Sequence, residues 1–166
     1  MVYKNDEKTV DEIRAMNPKG ILLGPGPGTP KDSGIALQTV TDLGPSFPLF
    51  GVCMGHQCIG EAFGGDVIRA PSGLMHGKTS SVFHTSIGIL EGMENPFEAC
   101  RYHSLVIKNE TIPEDLEITA WTEDGNIMGV RHKKHPHIQG VQFHPESIMT
   151  QNGKRIVGNW VKSLQD

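Results

Sequence analysis

Three features are scarce in this 166-residue sequence, and each scarcity excludes a class of protein. Cysteine occurs three times, at Cys53, Cys58 and Cys100. An odd number without metal-site spacing favours a reducing compartment and one functional thiol over a disulfide framework. Basic residues are outnumbered by acidic ones, 15 to 19, and the formal net charge of −4 indicates neither a nucleic acid nor an anionic membrane as partner. Long apolar runs are missing, and so is a signal-peptide pattern at the N-terminus.

The sequence does contain a regular alternation of helix-like and strand-like segments. Helices are predicted at residues 10–16 and 35–43, in the run from Cys53 to Gly64, and at 153–164. Strands are predicted at 20–23, 49–52, 66–69, 81–84, 100–107, 116–121, 127–130 and 138–143, with 75–80 irregular. The turn at 123–126 predicts an antiparallel hairpin. We therefore expect one domain over residues 1–166 with an α/β fold, in which helices flank a mixed, mostly parallel central sheet.

The segment around Cys53 carries the strongest chemical signal. Residues 47–65 read FPLFGVCMGHQCIGEAFGG, a buried strand that turns directly into a helix. Cys53 lies between Gly51 and Gly55 in a G-x-C-x-G pattern, the thiol version of a nucleophile elbow. The glycines allow close approach of strand and helix around a strained turn, and the helix N-terminus favours a thiolate there. The alternative interpretation is a buried structural cysteine in a tight turn.

A second signal follows the last predicted strand, in the sequence VQFHPES. Residues two apart in an extended chain point to the same side, so His144 and Glu146 face one way, and Pro145 stiffens the link between them. A histidine oriented by a carboxylate is what a cysteine nucleophile needs for activation. A surface histidine and glutamate at the start of a loop is the alternative.

A third signal is the loop GPGPGTP at residues 24–30. Its prolines fix φ and its glycines allow a substrate to approach bare backbone, although such a loop is often only a turn. The histidines of the basic stretch 131–137 have the spacing H-x-x-H-x-H. No cysteine or carboxylate accompanies them, so we interpret the stretch as a solvated loop and predict no metal site.

Taken in order, GPGPGTP, FGVCMGHQCIGEAFGG, MHGK, RYHSL and GVQFHPES resemble the motifs of class I, triad-type glutamine amidotransferases over essentially the whole chain. This resemblance implies a flavodoxin-like fold in which Cys53 is the nucleophile, His144 the general base and acid, and Glu146 its orienting carboxylate. The remaining implied positions are an oxyanion hole at Gly26, Pro27, Gly28 and the backbone of Met54, and contacts to the amino-acid end of glutamine at Gln57, Ser104 and Leu105.

Within the family, the sequence is most similar to the small glutaminase subunits of anthranilate synthase and of 4-amino-4-deoxychorismate synthase. The resemblance implies hydrolysis of L-glutamine to glutamate and ammonia through a cysteine thioester. It also implies transfer of the ammonia to a large synthase subunit that aminates chorismate, of the anthranilate synthase component I type. No cofactor is implied for this chain, because magnesium belongs to the synthase partner. The expected compartment is the cytoplasm, or the plastid stroma in a plant or alga.

One departure from the family concerns the first residues. Family members begin with a strand and helix that include an N-x-D-S-F segment, and this sequence begins after that unit, so we expect a sheet without the family's first strand and helix. The sequence leaves other functions open. They are the glutaminase subunit of the folate pathway, a related γ-glutamyl thiol hydrolase, and a truncated, non-catalytic binding paralogue.

Overall fold

The computed structural model describes residues 1–71, 73 and 75–165, and of residues 75 and 76 the backbone alone. Its helices are α1 Val10–Met16, α2 Ala36–Leu43, α3 Met54–Ala62 and α4 Gly153–Ser163. Its strands are β1 Ile21–Leu23, β2 Leu49–Val52, β3 Val67–Arg69, β4 Met75–His84, β5 Phe97–His103, β6 Leu105–Ile107, β7 Leu116–Trp121, β8 Ile127–His132 and β9 Ile138–Val141. Across the described ranges, no helix is both long and apolar enough to cross a membrane.

Seven strands form the main sheet in the order β1-β2-β9-β8-β7-β4-β5, and β3 pairs with β6 in a separate two-stranded sheet. The predicted α/β fold with a mixed sheet is confirmed, and so is the antiparallel β7–β8 hairpin. Parallel pairing is less extensive than expected, because among the described strands it joins only β1, β2 and β9. The strands from β9 through β8, β7 and β4 to β5 pair antiparallel, since short connections such as 122–126 and 133–137 can only join antiparallel neighbours.

The parallel part of the sheet is buried on both faces. Phe50 and Val52 of β2 pack in one core with Trp160 of α4, whereas Leu49 packs in a second core with residues of α2 and α3. This is the alternation of a strand with a period of two, and it explains why every residue of β2 and of β9 is buried. The sheet is therefore held between helices, and the C-terminal ends of β2 and β9 lie side by side.

Local hydrogen bonds set the shape of the loop that follows β1. Asp32 lies before α2 but does not cap it, since α2 begins after Ile35 without a side-chain cap. The Asp32 carboxylate instead accepts hydrogen bonds from the backbone N–H and the hydroxyl of Thr29, both at 2.9 Å. This capping box closes the short 3₁₀ helix Pro30–Asp32 and fixes the end of the glycine-proline loop.

The largest differences from the predicted strands occur in two segments. The expected strand at 100–107 is divided at Ser104, because β5 pairs with β4 in one antiparallel pair and β6 pairs with β3 in the separate sheet. The MHGK motif is not irregular but opens β4, a ten-residue strand. The sequence prediction treats residues 100–107 as one extended run, and only the partners of the flanking segments reveal the break.

The close approach of α3 to the sheet makes a stability prediction. A Cβ added at Gly55 would lie 2.7 Å from the Cβ of Leu23 and closer still to the Leu23 carbonyl oxygen, whereas one added at Gly158 in α4 would meet nothing within 4 Å. We expect Gly55→Ala to lower the free energy of unfolding by about 1–3 kcal/mol through overpacking. Gly158→Ala should raise it by roughly 0.5–1 kcal/mol. Urea denaturation of both variants checks the pair, and equal effects would contradict the packing.

Candidate active site

Cys53 occupies the turn between β2 and α3. Its φ of 54° and ψ of −101° are strained for a residue with a side chain, at a cost of order 1–3 kcal/mol. The surrounding backbone holds this conformation: the N–H of Cys53 donates to the carbonyl of Val141 in β9 at 2.8 Å, and the Cys53 carbonyl accepts from the N–H of Gln57 at 3.0 Å. A Cβ at Gly51 would lie 2.7 Å from the backbone nitrogen of His56. The predicted strained elbow is therefore confirmed.

The Cys53 thiol lies in a buried and partly polar environment, with 6% of the residue exposed. The Gln142 side-chain N–H donates to the sulfur at 3.6 Å, and the Tyr102 carbonyl lies 3.9 Å away. Burial raises the pKa of this thiol to about 11, and the charge of Glu146 adds to the rise. Hydrogen bonds from the Met54 backbone N–H and from Gln142 lower the pKa but offset only part of this effect. Desolvation therefore outweighs the expected effect of the helix N-terminus on the pKa, and the thiol needs a base to lose its proton.

His144 and Glu146 form the predicted pair. The Nδ1 atom of His144 donates to the Glu146 carboxylate at 2.5 Å, which leaves Nε2 as the acceptor nitrogen of the neutral ring. Nε2 is buried and has no hydrogen-bond partner within the described part of the chain. The imidazole packs edge-on against the Tyr102 ring, with 5.3 Å between ring centroids. Tyr102 thus contacts the Cys53 sulfur through its carbonyl and His144 through its ring, and Nε2 of His144 is available to accept a proton.

A cavity of about 200 Å³ opens beside the thiol. Its walls are the loop residues Gly26, Pro27 and Gly28, the pair Cys53 and Gln57, and the segment 102–105. The structure therefore brings together seven of the ten predicted site residues around one cavity. Of the other three, Met54 contacts the Cys53 thiol through its backbone N–H. His144 packs against Tyr102, which lines the cavity, and the charge of Glu146 raises the pKa of Cys53.

The cavity is smaller than the 300–1,000 Å³ typical of pockets for drug-sized ligands, and this size suits a small metabolite. Gly28 has a φ of +81°, and a Cβ there would lie 2.8 Å from the Asp32 carboxylate. A Cβ at Gly26 would meet nothing within 4 Å, so the backbone of this loop is open to a ligand.

Three residues of the site were not predicted from the sequence. Tyr102 and His103 line the cavity, and Gln142 contacts the sulfur. Gln142 lies two residues before His144, so the same alternation that paired His144 with Glu146 could have placed it on the same side of the chain.

Two other features are weaker functional candidates. A second cavity of about 330 Å³, between β6 and the turn 124–126, has neither a predicted site residue nor a cysteine among the described residues that line it. Among the residues whose positions are described, no group of three or more histidine, cysteine or carboxylate side chains is arranged to hold a metal. In the H-x-x-H-x-H stretch, Nδ1 of His132 accepts backbone N–H groups of Lys134 and His135 at 3.1 and 3.0 Å. The smaller cavity is therefore the candidate site.

The raised pKa makes a prediction about reactivity. Only the thiolate is alkylated, so the rate of Cys53 modification by iodoacetamide should rise about tenfold per pH unit from pH 7 to 10 and level off near pH 11. Peptide mapping distinguishes Cys53 from the fully buried Cys58 and Cys100. The Cys53→Ser variant measures the background alkylation of the other residues. A plateau already at pH 8 would mean that the helix N-terminus outweighs burial.

The chain is similar in sequence to known proteins over nearly its whole length. The profile of the family "Glutamine amidotransferase class-I" matches residues 1–164. The chain is 63% identical to anthranilate synthase beta subunit 1, chloroplastic, of Oryza sativa subsp. japonica, covering 99% of this chain and 59% of that protein. It is 52% identical to anthranilate synthase component 2 of Cyanophora paradoxa, covering 99% and 86%. The chain thus spans less than two thirds of the rice relative's length.

The fold is also similar to a solved structure. A protein from Thermoplasma acidophilum, described as part of a GMP synthase, superposes with a TM-score of 0.85 at 26% identity, covering 99% of this chain and 80% of that one. Sequence profile, relatives and fold agree with one another, and the chain belongs to the class-I glutamine amidotransferase family.

Proposed function

We propose that this protein is the glutaminase subunit of an anthranilate synthase, and that it hydrolyses L-glutamine to glutamate and ammonia through a thioester on Cys53. The observation that carries the proposal is the convergence of Cys53, the loop residues 26–28 and Gln57 on one small cavity beside the His144–Glu146 pair. Relatives named anthranilate synthase beta subunit or component 2 support the choice of pathway.

The first half of the reaction forms the thioester. As the Cys53 sulfur attacks the side-chain amide carbon of glutamine, Nε2 of His144 takes the thiol proton, and the carboxylate of Glu146 stabilises the resulting imidazolium. Negative charge develops on the amide oxygen, where N–H groups of Met54, Gly26 and Gly28 are the available donors, since Pro27 has none. The imidazolium then returns the proton to the departing nitrogen, and ammonia leaves.

The second half of the reaction regenerates the thiol. Neutral His144 takes a proton from water, the hydroxide attacks the thioester carbon, and glutamate is released as the sulfur recovers its proton. Gln57, Ser104 and Leu105 hold the amino and carboxylate groups of the substrate throughout. A thiol pKa of about 11 makes the base necessary in the first half and favours the neutral thiol in the resting enzyme.

The ammonia passes to a large synthase subunit of the component I type, which aminates chorismate. The magnesium needed for that step is bound by the large subunit, and this chain uses no cofactor. Several plant relatives are named chloroplastic, so we place the protein in the plastid stroma if its source is a plant or alga, and in the cytoplasm otherwise.

Serine substitution of one cysteine tests the chemistry. Cys53→Ser should reduce glutamate release from glutamine by at least roughly a thousandfold, because the hydroxyl is a far weaker nucleophile at this site. Cys58→Ser is the matched control in the same helix, where the Ser33 hydroxyl lies 3.5 Å from the sulfur and can pair with a hydroxyl. Cys58→Ser should keep wild-type turnover. Equal activity of both variants would remove Cys53 from the reaction.

Reconstitution with a component I-type large subunit tests the partner. The wild-type complex should form anthranilate from chorismate with either glutamine or ammonium salts. The Cys53→Ser complex should use ammonium salts alone, because only ammonia production is lost. Absorbance or fluorescence of anthranilate follows both reactions. Failure to form a complex would reject the assignment to anthranilate synthase. The assignment would also be rejected if the protein supported only the formation of 4-amino-4-deoxychorismate, with the large subunit of aminodeoxychorismate synthase.

A further inference from the structure

Gln142 is a buried polar residue with no part in the mechanism above. Its exposed fraction is 0%, and its backbone N–H donates to the Met128 carbonyl at 2.9 Å, which anchors the residue in the sheet immediately after β9. Its side-chain nitrogen lies 3.6 Å from the sulfur of Cys53, within hydrogen-bond reach of a sulfur acceptor. A fully buried amide that ends on the nucleophile is a candidate for controlling it.

The orientation of the Gln142 amide follows from its neighbours. The Leu105 backbone carbonyl can only accept, and the side-chain nitrogen of Gln57 donates to it at 3.1 Å. The same nitrogen lies 3.2 Å from Oε1 of Gln142. If the Gln142 amide were reversed, two NH₂ groups would face each other, so the oxygen of Gln142 must face Gln57 and its nitrogen must face Cys53.

The far end of this network fixes its direction. Arg101 is 1% exposed and carries donors only, and its Nε donates to Nε2 of His103 at 2.9 Å. His103 therefore carries its proton on Nδ1, which donates to the Leu105 carbonyl at 3.1 Å. That carbonyl accepts from His103 and from Gln57, so both side chains hold it in place. Along the network from the Arg101 guanidinium to the Cys53 sulfur, each side chain has one assignment of donors and acceptors that satisfies its neighbours.

We propose that Gln142 is a positioning residue that holds the Cys53 sulfur and stabilises its thiolate through an N–H whose direction is fixed by Gln57 and the Leu105 carbonyl. A charge-assisted hydrogen bond of this kind is stronger than a neutral one, so it favours the thiolate over the thiol. This N–H and the Met54 backbone N–H are the groups that lower the pKa of Cys53 against the effect of burial. The role rests on the proposed function only in that the thiolate is the species that attacks glutamine.

The rate of Cys53 alkylation by iodoacetamide at pH 8 tests the proposal without glutamine. Gln142→Met keeps a similar shape and removes the donor, so we expect alkylation to slow about tenfold, as the thiolate fraction falls with a rise of about one pKa unit. Gln57→Met leaves the donor but frees its orientation, so a smaller, several-fold decrease is expected. In the double variant the rate should equal that of Gln142→Met alone, because both changes act through one hydrogen bond.

Gln139→Met is the matched control. Gln139 is a buried glutamine on β9 whose side-chain oxygen accepts from the Ile89 N–H at 3.0 Å, and its substitution should leave the alkylation rate unchanged. Melting temperatures show which variants fold, and if Gln142→Met does not, Gln57→Met carries the test. Wild-type alkylation in the folded Gln142→Met or Gln57→Met variant, or additive effects in the double variant, would overturn the proposal. Gln142-dependent alkylation in a protein without glutaminase activity would reject the proposed function and keep this inference.

Discussion

The parallel register between β2 and β9 is the constraint on which the site depends. Val52 pairs with Val141, and the ladder continues one step further through the hydrogen bond from the Cys53 N–H to the Val141 carbonyl. Because parallel strands end at the same edge of the sheet, the residue after β2 and the residues after β9 lie together. A slip of one residue would turn every side chain of β9 to the opposite face and separate Gln142 and His144 from the thiol.

Burial makes the Cys53 thiol difficult to ionise. The thiol lies among core residues where a thiolate is poorly solvated, and desolvation outweighs the helix N-terminus in setting its pKa. The protein compensates locally with N–H donors at the sulfur and with a histidine whose acceptor nitrogen is left unpaired within the described residues. A thiol that stays protonated at neutral pH and ionises only beside its base is protected from unrelated electrophiles.

The antiparallel half of the sheet supplies the remaining wall of the cavity. β5 ends at His103 and β6 begins at Leu105 in a different sheet, so the chain changes pairing partners at Ser104, which lines the same cavity as Cys53. This break allows Tyr102 to contact both Cys53 and His144, and it leaves the Leu105 carbonyl free to accept two side-chain hydrogen bonds. The buried Arg101, two residues before His103, is paired with Asp124 at 3.6 Å and does not line the cavity.

The sequence by itself determined the local chemistry of this protein: the elbow at Cys53, the His144–Glu146 pair, the glycine-proline loop, and most of the helices and strands. These features depend on spacings of a few residues, and the forces that produce them act over the same short range. The tertiary structure alone decided the strand partners, the division at Ser104, the extent of parallel pairing and the network through Gln142. It also decided the protonation of Cys53, because the desolvation of the thiol depends on residues from β5 and β9 that are distant in sequence. The local sequence around Cys53 therefore does not show how deeply the thiol is buried.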